Sequence, residues 1–273
     1  MVFLVKIYKI MISKVFLKNT NSQVIIDSGE LVSFLKENQE YIHQKGSKGW
    51  RNSDDEMFPV IGPTSKNNFR VHTKNGDAIQ DQHGLLRELN YTLIITDENS
   101  ASFIKKYKKN TLIKNSKFPI KSTEEYLFWP FDFSFEKNFK LDNDILKIEF
   151  IINSEKGMPF MLGYHPAFLL SDSGNEILQS KGAKITLEDV YKAGSNAFPV
   201  LNSNSIILKN IERKDLEITT KGFDNFMLWT EVDNMLCIEP ITQYTSYTNQ
   251  KFSEQNMHLS EGKNYFALEI KIL

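Results

Sequence analysis

The chain is predicted to be all-β, a large antiparallel sandwich, and three observations predict it. Period-two alternation of apolar and polar residues recurs along the sequence, and clusters of Asn, Asp, Gly and Ser ("KNTNSQ", "KNGDAIQDQ", "DSGN", "NSNS") punctuate it. No window sustains a 3.6-residue apolar stripe, and "EEYLFW" comes nearest to a helical turn. With more than a dozen short strands and almost no helix, burial of the apolar faces calls for two large sheets packed against each other.

The strand candidates run in order. "VFLKN", "QVIIDS" and "LVSFL" open the chain, followed by "FPVIG" and "YTLIITD". "YLFWPFDFSF" precedes "ILKIEFIIN", where Ile148, Phe150 and Ile152 face one way and Lys147 and Glu149 the other. "AKITLED", "SIILKN", "LEITTK", "FMLWTEV" and "MLCIEP" come next. In the last, "YFALEIKIL", Phe266, Leu268, Ile270 and Ile272 oppose Ala267, Glu269 and Lys271. No repeat, low-complexity tract or linker divides residues 1–273, so a single domain is expected.

Composition narrows the function classes. A hydrophobic content of 41% with 20 Phe, 10 Tyr and 3 Trp supports a large core, which argues against disorder. Lys plus Arg (33) and Asp plus Glu (34) nearly cancel, so no global field gathers nucleic acid or an anionic membrane. Cys237 is the single cysteine, which excludes an internal disulfide and suits a reducing, cytoplasmic compartment. Residues 1–11 open apolar, but Lys6 and Lys9 interrupt the run and no small-residue cleavage site follows; a leader strand or a disordered segment is expected there. No stretch reaches the roughly 18 uninterrupted apolar residues of a spanning helix. Monomer and homodimer both remain open.

Two strands end in a titratable residue followed by proline. In "NMLCIEPITQY", extended backbone puts Met235, Cys237 and Glu239 on one face and Leu236 and Ile238 on the other, so Glu239 is buried on either count. A carboxylate there costs several kcal/mol unless it is paired, hydrogen-bonded or neutralised. In "MPFMLGYHPAFLL", His165 shares a face with Gly163 and Ala167, which leave space beside it. Pro166 extends its backbone and ends the ladder. One reading makes the two an acid and a base; the other makes them a core histidine bonded to backbone and a buried ion-pair partner. "QDQHGLLRELNY" places His83 at a strand entry, where binding groups gather, with Arg87 and Glu88 free to form a surface ion pair. "GWRNSDDEMFPVIGP" offers Trp50 and Arg51, suited to sugars or phosphates, although "SDDE" also reads as a solvated loop.

Other chemistries lack motifs. Histidines 43, 72, 83, 165 and 258 are not at metal-ligand spacings, and the sequence contains no H-E-x-x-H, G-x-S-x-G, G-x-G-x-x-G or G-x-x-x-x-G-K-[ST]. No metal is indicated. A glycoside hydrolase needs two carboxylates flanking the bond, and one compelling candidate is present.

These residues resemble the aldose 1-epimerase (galactose mutarotase-like) superfamily, and within it the branch of lactose-operon-associated mutarotase-related proteins. The matching pieces come in family order: "FPVIG" at 58–62, "HGLLRE" at 83–88, "WPFDF" at 129–133, "GYHPAF" at 163–168, "LWT" at 228–230 and "CIEP" at 237–240. The resemblance implies a β-supersandwich, His165 and Glu239 as the catalytic pair, and His83 in contact with sugar, with no cofactor. Where relatives often have Gly-Arg this chain has Gly62-Pro63. Arg51 and Arg87 are similar in placement to arginines of the sugar-phosphate branch, and Asp224 in "FDNF" is similar to an Asp-containing stretch of true mutarotases. The implied activity is interconversion of the anomers of a free aldohexose. Glu239 acts as base and His165, held protonated by an ionised Glu239, as acid. The alternatives are a non-catalytic sugar-binding or sensor protein and a hexose-phosphate 1-epimerase.

Overall fold

The computed structural model describes residues 14–171, 173–245 and 254–273; the expected leader segment at 1–11 lies outside them. The largest sheet has nine antiparallel strands. In spatial order they are Ala183–Thr186, Ile177–Ser180, Ser205–Lys209, Leu216–Lys221, Lys263–Ile272, Ile145–Ser154, Phe133–Asp142, Ser100–Tyr107 and Thr92–Thr96. Its centre follows from the alternation in the sequence. Leu146, Ile148, Phe150 and Ile152 are buried, and so are Phe266, Leu268, Ile270 and Ile272 on the neighbouring strand, where Ile148 pairs with Leu268 and Phe150 with Phe266. Asn143, at φ 51°, turns the hairpin between Asp142 and Ile145, as a short polar residue in a two-residue loop can.

The second large sheet carries Phe198–Val200, Asn225–Trp229, Met235–Ile241, Gly163–Tyr164 and Glu56–Met57, with Ala167–Leu169 also paired to Met235–Ile241. Aromatic rings join the two sheets: Phe150 lies 5.2 Å from Tyr164, and Phe58 lies 5.0 Å from Phe133 and 5.6 Å from Phe135. A four-stranded sheet, Lys14–Lys18, Ser22–Asp27, Glu30–Lys36 and Gln39–Glu40, covers the N-terminal side. Among the described residues no helix is long and apolar enough to cross a membrane.

Three expected strands turn out differently. "FPVIG" is irregular although Phe58, Val60 and Ile61 are fully buried. Pro59 and Pro63 have no N–H to give a ladder, and the remaining groups bond outside one. Phe58 N–H donates to the His83 carbonyl, Leu86 N–H to the Phe58 carbonyl and Met161 N–H to the Pro59 carbonyl. "YLFWPFDFSF" breaks at Pro130 into Tyr126–Leu127 and the start of Phe133–Asp142, and "EEYLFW", the nearest approach to a helical turn in the sequence, holds the first of these short strands. "AKITLED" is strand only to Thr186, where the helix Leu187–Ala193 begins. Thr186 and Asp189 form a capping box: Asp189 N–H donates to Thr186 Oγ1, and Thr186 N–H donates to Asp189 Oδ2 at 2.9 Å. The Thr-x-x-Asp spacing was the available signal.

Candidate active site

The strand Met235–Ile241 is buried along its whole length and lies between two neighbours. On one side Met227 pairs with Glu239 and Trp229 with Cys237; on the other, Gly163 pairs with Ile241 and Ala167 with Cys237. The register is the same on both sides of the break at His165-Pro166, so His165 stands opposite Glu239. Pro166 donates nothing, but its carbonyl accepts from Ile238 N–H at 3.3 Å. His165 turns its own backbone to the other neighbour, donating to the Asp55 carbonyl at 2.8 Å and accepting from Asp55 N–H at 3.2 Å.

His165 and Glu239 thereby meet on the wall of one cavity. Nε2 of the imidazole lies 3.3 Å from Oε1 of the carboxyl, with the residues 6% and 2% exposed. The cavity holds about 700 Å³ and is also lined by Trp50, Arg51, His83, Arg87 and Trp229. Trp50 lies 4.3 Å from the His165 ring, His83 5.6 Å and Trp229 6.1 Å. His43 Nε2–H donates to the Trp50 carbonyl at 2.8 Å and so anchors the Trp50 loop. Pro63 and Thr245 line the wall, and Thr245 Oγ1 donates to the Ile61 carbonyl at 2.7 Å.

His83 enters the site through an unusual turn. Its φ is 76° and that of Gly84 is 72°; a Cβ on residue 84 would sit 2.2 Å from the Phe58 carbonyl oxygen, so only glycine lets the two chains close. Arg87 reaches back to Asp55, Nη2 to Oδ2 at 2.6 Å, both half-buried. It therefore clasps the residue that holds the His165 backbone.

Of the residues singled out in the sequence, the fold brings His165, Glu239, His83, Arg51 and Arg87 to this one cavity. Asp224 is exposed and does not line it; its backbone carbonyl accepts from Ser203 N–H. The sequence reading passed over Gln82, Lys117, Lys121 and Glu231, which line the cavity. Lys117 and Lys121 stand in "NSKFPIK", which carries no signal of a site.

"SDDE" is not a solvated loop. Asp54 and Glu56 are buried, and both bond to Lys137, which is completely buried, at 2.7 and 2.6 Å. Tyr164 Oη and Leu31 N–H donate to Asp54 Oδ2, and Lys105 Nζ lies 3.4 Å from Glu56 Oε2. The cluster is joined to the segment that presents His165 through Tyr164, which bonds Asp54 and pairs with Glu56. Burial lifts Asp54 to about 7 against the pull of Lys137. Burial also opposes the Lys137 charge, but Asp54 and Glu56 outweigh it and hold the ammonium above its usual range.

The electrostatics of the catalytic candidates run opposite to the expected ion pair. Burial raises Glu239 well above the usual carboxyl value. Burial, and secondarily Arg87, lowers His165 from 6.5 to about 3, and burial together with Arg87 and His165 lowers His83. Burial thus favours the uncharged form of each side chain, a carboxylic acid beside a neutral imidazole. A histidine with a depressed folded value is bound by more protons when unfolded, so its contribution is complete above about pH 6.5 and is lost as pH falls toward 3. Unfolding free energy should therefore drop on acidification by up to about 1.4 kcal/mol per pH unit from His165 alone. Urea titrations between pH 6.5 and 4 should show a shallower acid limb in His165→Asn; parallel limbs would refute this account.

The fold is that of the galactose mutarotase-like β-sandwich proteins. It is similar to a galactose mutarotase related enzyme from Lactobacillus acidophilus, with a TM-score of 0.76 at 19% identity over 95% of this chain and 97% of that one. A galactose mutarotase-like protein from Lactobacillus casei superposes with the same TM-score at 15% identity, over 95% and 100% of the two chains. Residues 66–252 match the sequence model of the aldose 1-epimerase family, and the chain belongs to that family. It is also 26% identical over 148 residues to the chromosomal protein LacX of Lactococcus lactis subsp. lactis. That match covers 51% of this chain and 44% of LacX, so the chain spans less than half the length of this curated relative.

Proposed function

We propose that this protein is a cofactor-independent aldose 1-epimerase that interconverts the α and β anomers of a free aldohexose through Glu239 and His165. The observation that carries the reading is the 3.3 Å approach of a buried carboxyl and a buried imidazole on the wall of a sugar-sized, aromatic-lined cavity. Anomerisation needs one proton taken from the C1 hydroxyl and one delivered to the ring oxygen; the aldehyde then rotates and recloses with the roles reversed. A pair holding a single proton meets that count. With Glu239 ionised and His165 protonated, ring opening moves the C1 proton to Glu239 and the imidazolium proton to the ring oxygen. The pair is left as a carboxylic acid beside a neutral imidazole, the distribution that burial favours, and reclosure restores the starting one. Each group contributes roughly 100- to 10,000-fold. Trp50 and Trp229 offer apolar faces to the ring, and His83 and Arg51 offer polar contacts. Single-domain organisation and a reducing cytoplasm, suited to the lone Cys237, complete the reading.

A second reading, a sugar phosphate, is favoured by the cations at the cavity. Arg87 and Lys117 are engaged by Asp55 and Asp81, whereas Arg51 and Lys121 line the cavity exposed. Glu231, exposed on the same lining, opposes them. Polarimetry or NMR exchange on freshly dissolved α-glucose, α-galactose and glucose 6-phosphate tests both. Exchange on the free hexoses at least as fast as on the phosphate is expected. A tenfold preference for the phosphate, about 1.4 kcal/mol of transition-state binding, lost in Arg51→Ala, would shift the assignment. Sugar binding without exchange would make the protein a binding module.

A further inference from the structure

The histidines are not at metal-ligand spacing in the sequence, yet the sheet gathers three different ligand types at one point. A ring nitrogen of His165, Sγ of Cys237 and a carboxyl oxygen of Glu239 all lie within 4.8 Å of one another, and all three residues are buried. We propose that these side chains form a binding site for a thiophilic divalent cation of the zinc class.

The geometry is close to what such an ion requires. Zinc bonds of about 2.0–2.3 Å place tetrahedral ligand atoms roughly 3.3–3.8 Å apart. The His165 Nε2 to Glu239 Oε1 separation is already 3.3 Å. Cys237 stands two residues before Glu239 on the same strand, so its sulfur projects from the same face, and it is opposite Ala167, whose small side chain leaves room beside it. Closing the set asks the sulfur to move by no more than about 1 Å, within the reach of side-chain rotation. His165 Nδ1 is buried and bonds to nothing among the described residues, so no partner opposes the tautomer that turns the Nε2 lone pair to a metal.

The donor set also defines the class of ion. Thiolate, imidazole and carboxylate together suit Zn²⁺ and its Co²⁺ and Cd²⁺ substitutes; Mg²⁺ and Ca²⁺ demand oxygen. One thiolate and one carboxylate cancel the double charge, and a neutral complex is what a buried floor tolerates. Binding forms three metal–ligand bonds, and the ligands bind as thiolate, carboxylate and neutral imidazole, so any thiol or carboxyl proton leaves to solvent. Trp50 and Trp229 pack against the small buried cluster of Ala167, Met235 and Cys237. A cation here occupies both proton carriers of the proposed reaction, yet its binding does not depend on that reaction.

Chelator-treated protein titrated with Zn²⁺ by calorimetry, and with Co²⁺ and Cd²⁺ by ultraviolet absorption, tests the site without an activity assay. One ion per chain and a thiolate-to-metal charge-transfer band are expected, with no competition from Mg²⁺. The band reports Cys237 unambiguously because the chain has 1 cysteine. Zinc affinity should fall at least tenfold in Cys237→Ala and in His165→Asn. Absence of the band in the wild type overturns the proposal, and so does a band unchanged in both His165→Asn and Glu239→Gln. Should Cys237→Ala fail to fold by circular dichroism, the wild-type band and these two variants still decide it.

Discussion

Glu239→Gln and His165→Asn should each lower the proposed anomerisation by at least about 100-fold, or about 2.7 kcal/mol of transition-state stabilisation, while the protein stays folded. Both replacements keep the shape of the side chain and remove only its capacity to carry a proton. The pair lies 3.3 Å apart on one cavity wall, so loss of either member interrupts a two-proton exchange that neither can complete alone. The double variant should then be little worse than each single one, because residues that act as a unit are not additive. Stability should not suffer, since each replacement removes a group whose charged form burial opposes. Polarimetry gives the rates, and near-ultraviolet circular dichroism checks the fold. Wild-type rates in both variants would place the chemistry elsewhere in the cavity.

Lys137→Met should cost about 3–5 kcal/mol of unfolding free energy, the range for removing one partner of a buried ion pair. Methionine fills the stem of the lysine but leaves Asp54 and Glu56, each 2% exposed at the side chain, without the ammonium they share. Lys105, 3.4 Å from Glu56, cannot serve both. Asp54 is already lifted to about 7 by burial and would rise further without Lys137. Raised carboxyl values favour the folded state at low pH and penalise it as pH rises through them, so the deficit should be larger at pH 8 than at pH 5. Adding Asp54→Asn and Glu56→Gln should recover part of the loss. Urea midpoints at the two pH values measure all of this, and a deficit under about 1 kcal/mol that ignores pH would show that the cluster contributes little.

That cluster also shows where sequence reading stops. Alternation sufficed for most of the nine-stranded sheet, because burying one face of each strand is a local rule that Ile148, Phe150, Phe266 and Leu268 follow, but Ser100–Tyr107 and Ile177–Ser180 were passed over. Glu239 and His165 were legible for a related reason: each is a titratable residue in a run that should be apolar throughout. Asp54 and Glu56 lay in a run that should be polar, and their partners are 83 and 81 residues away at Lys137. The missed signal sat on the partner strands. Lys137 occupies the inward slot between Phe135 and Phe139, and Lys105 the slot between Phe103 and Tyr107. "FPVIG" misled for the converse reason, since its apolar residues are buried by an irregular chain that Pro59, and Pro63 just after it, deny a ladder. The capping box at Thr186 was a local signal overlooked beside a stronger alternation.

The shared register across the His165-Pro166 break makes the sheet a ruler for the proposed reaction. The proposed acid and base arrive on separate strands, and the strand pairing on either side of the break, with the Asp55 bonds to the His165 backbone, sets how far along each one its reactive group falls. A single residue inserted between Gly163 and Ala167, or removed there, could be absorbed as a bulge with the sandwich intact, yet it would shift or turn away the imidazole relative to its partner. Under the proposed function, a length change in that short stretch should therefore abolish turnover without abolishing folding, leaving the cavity in place but its proton carriers out of step.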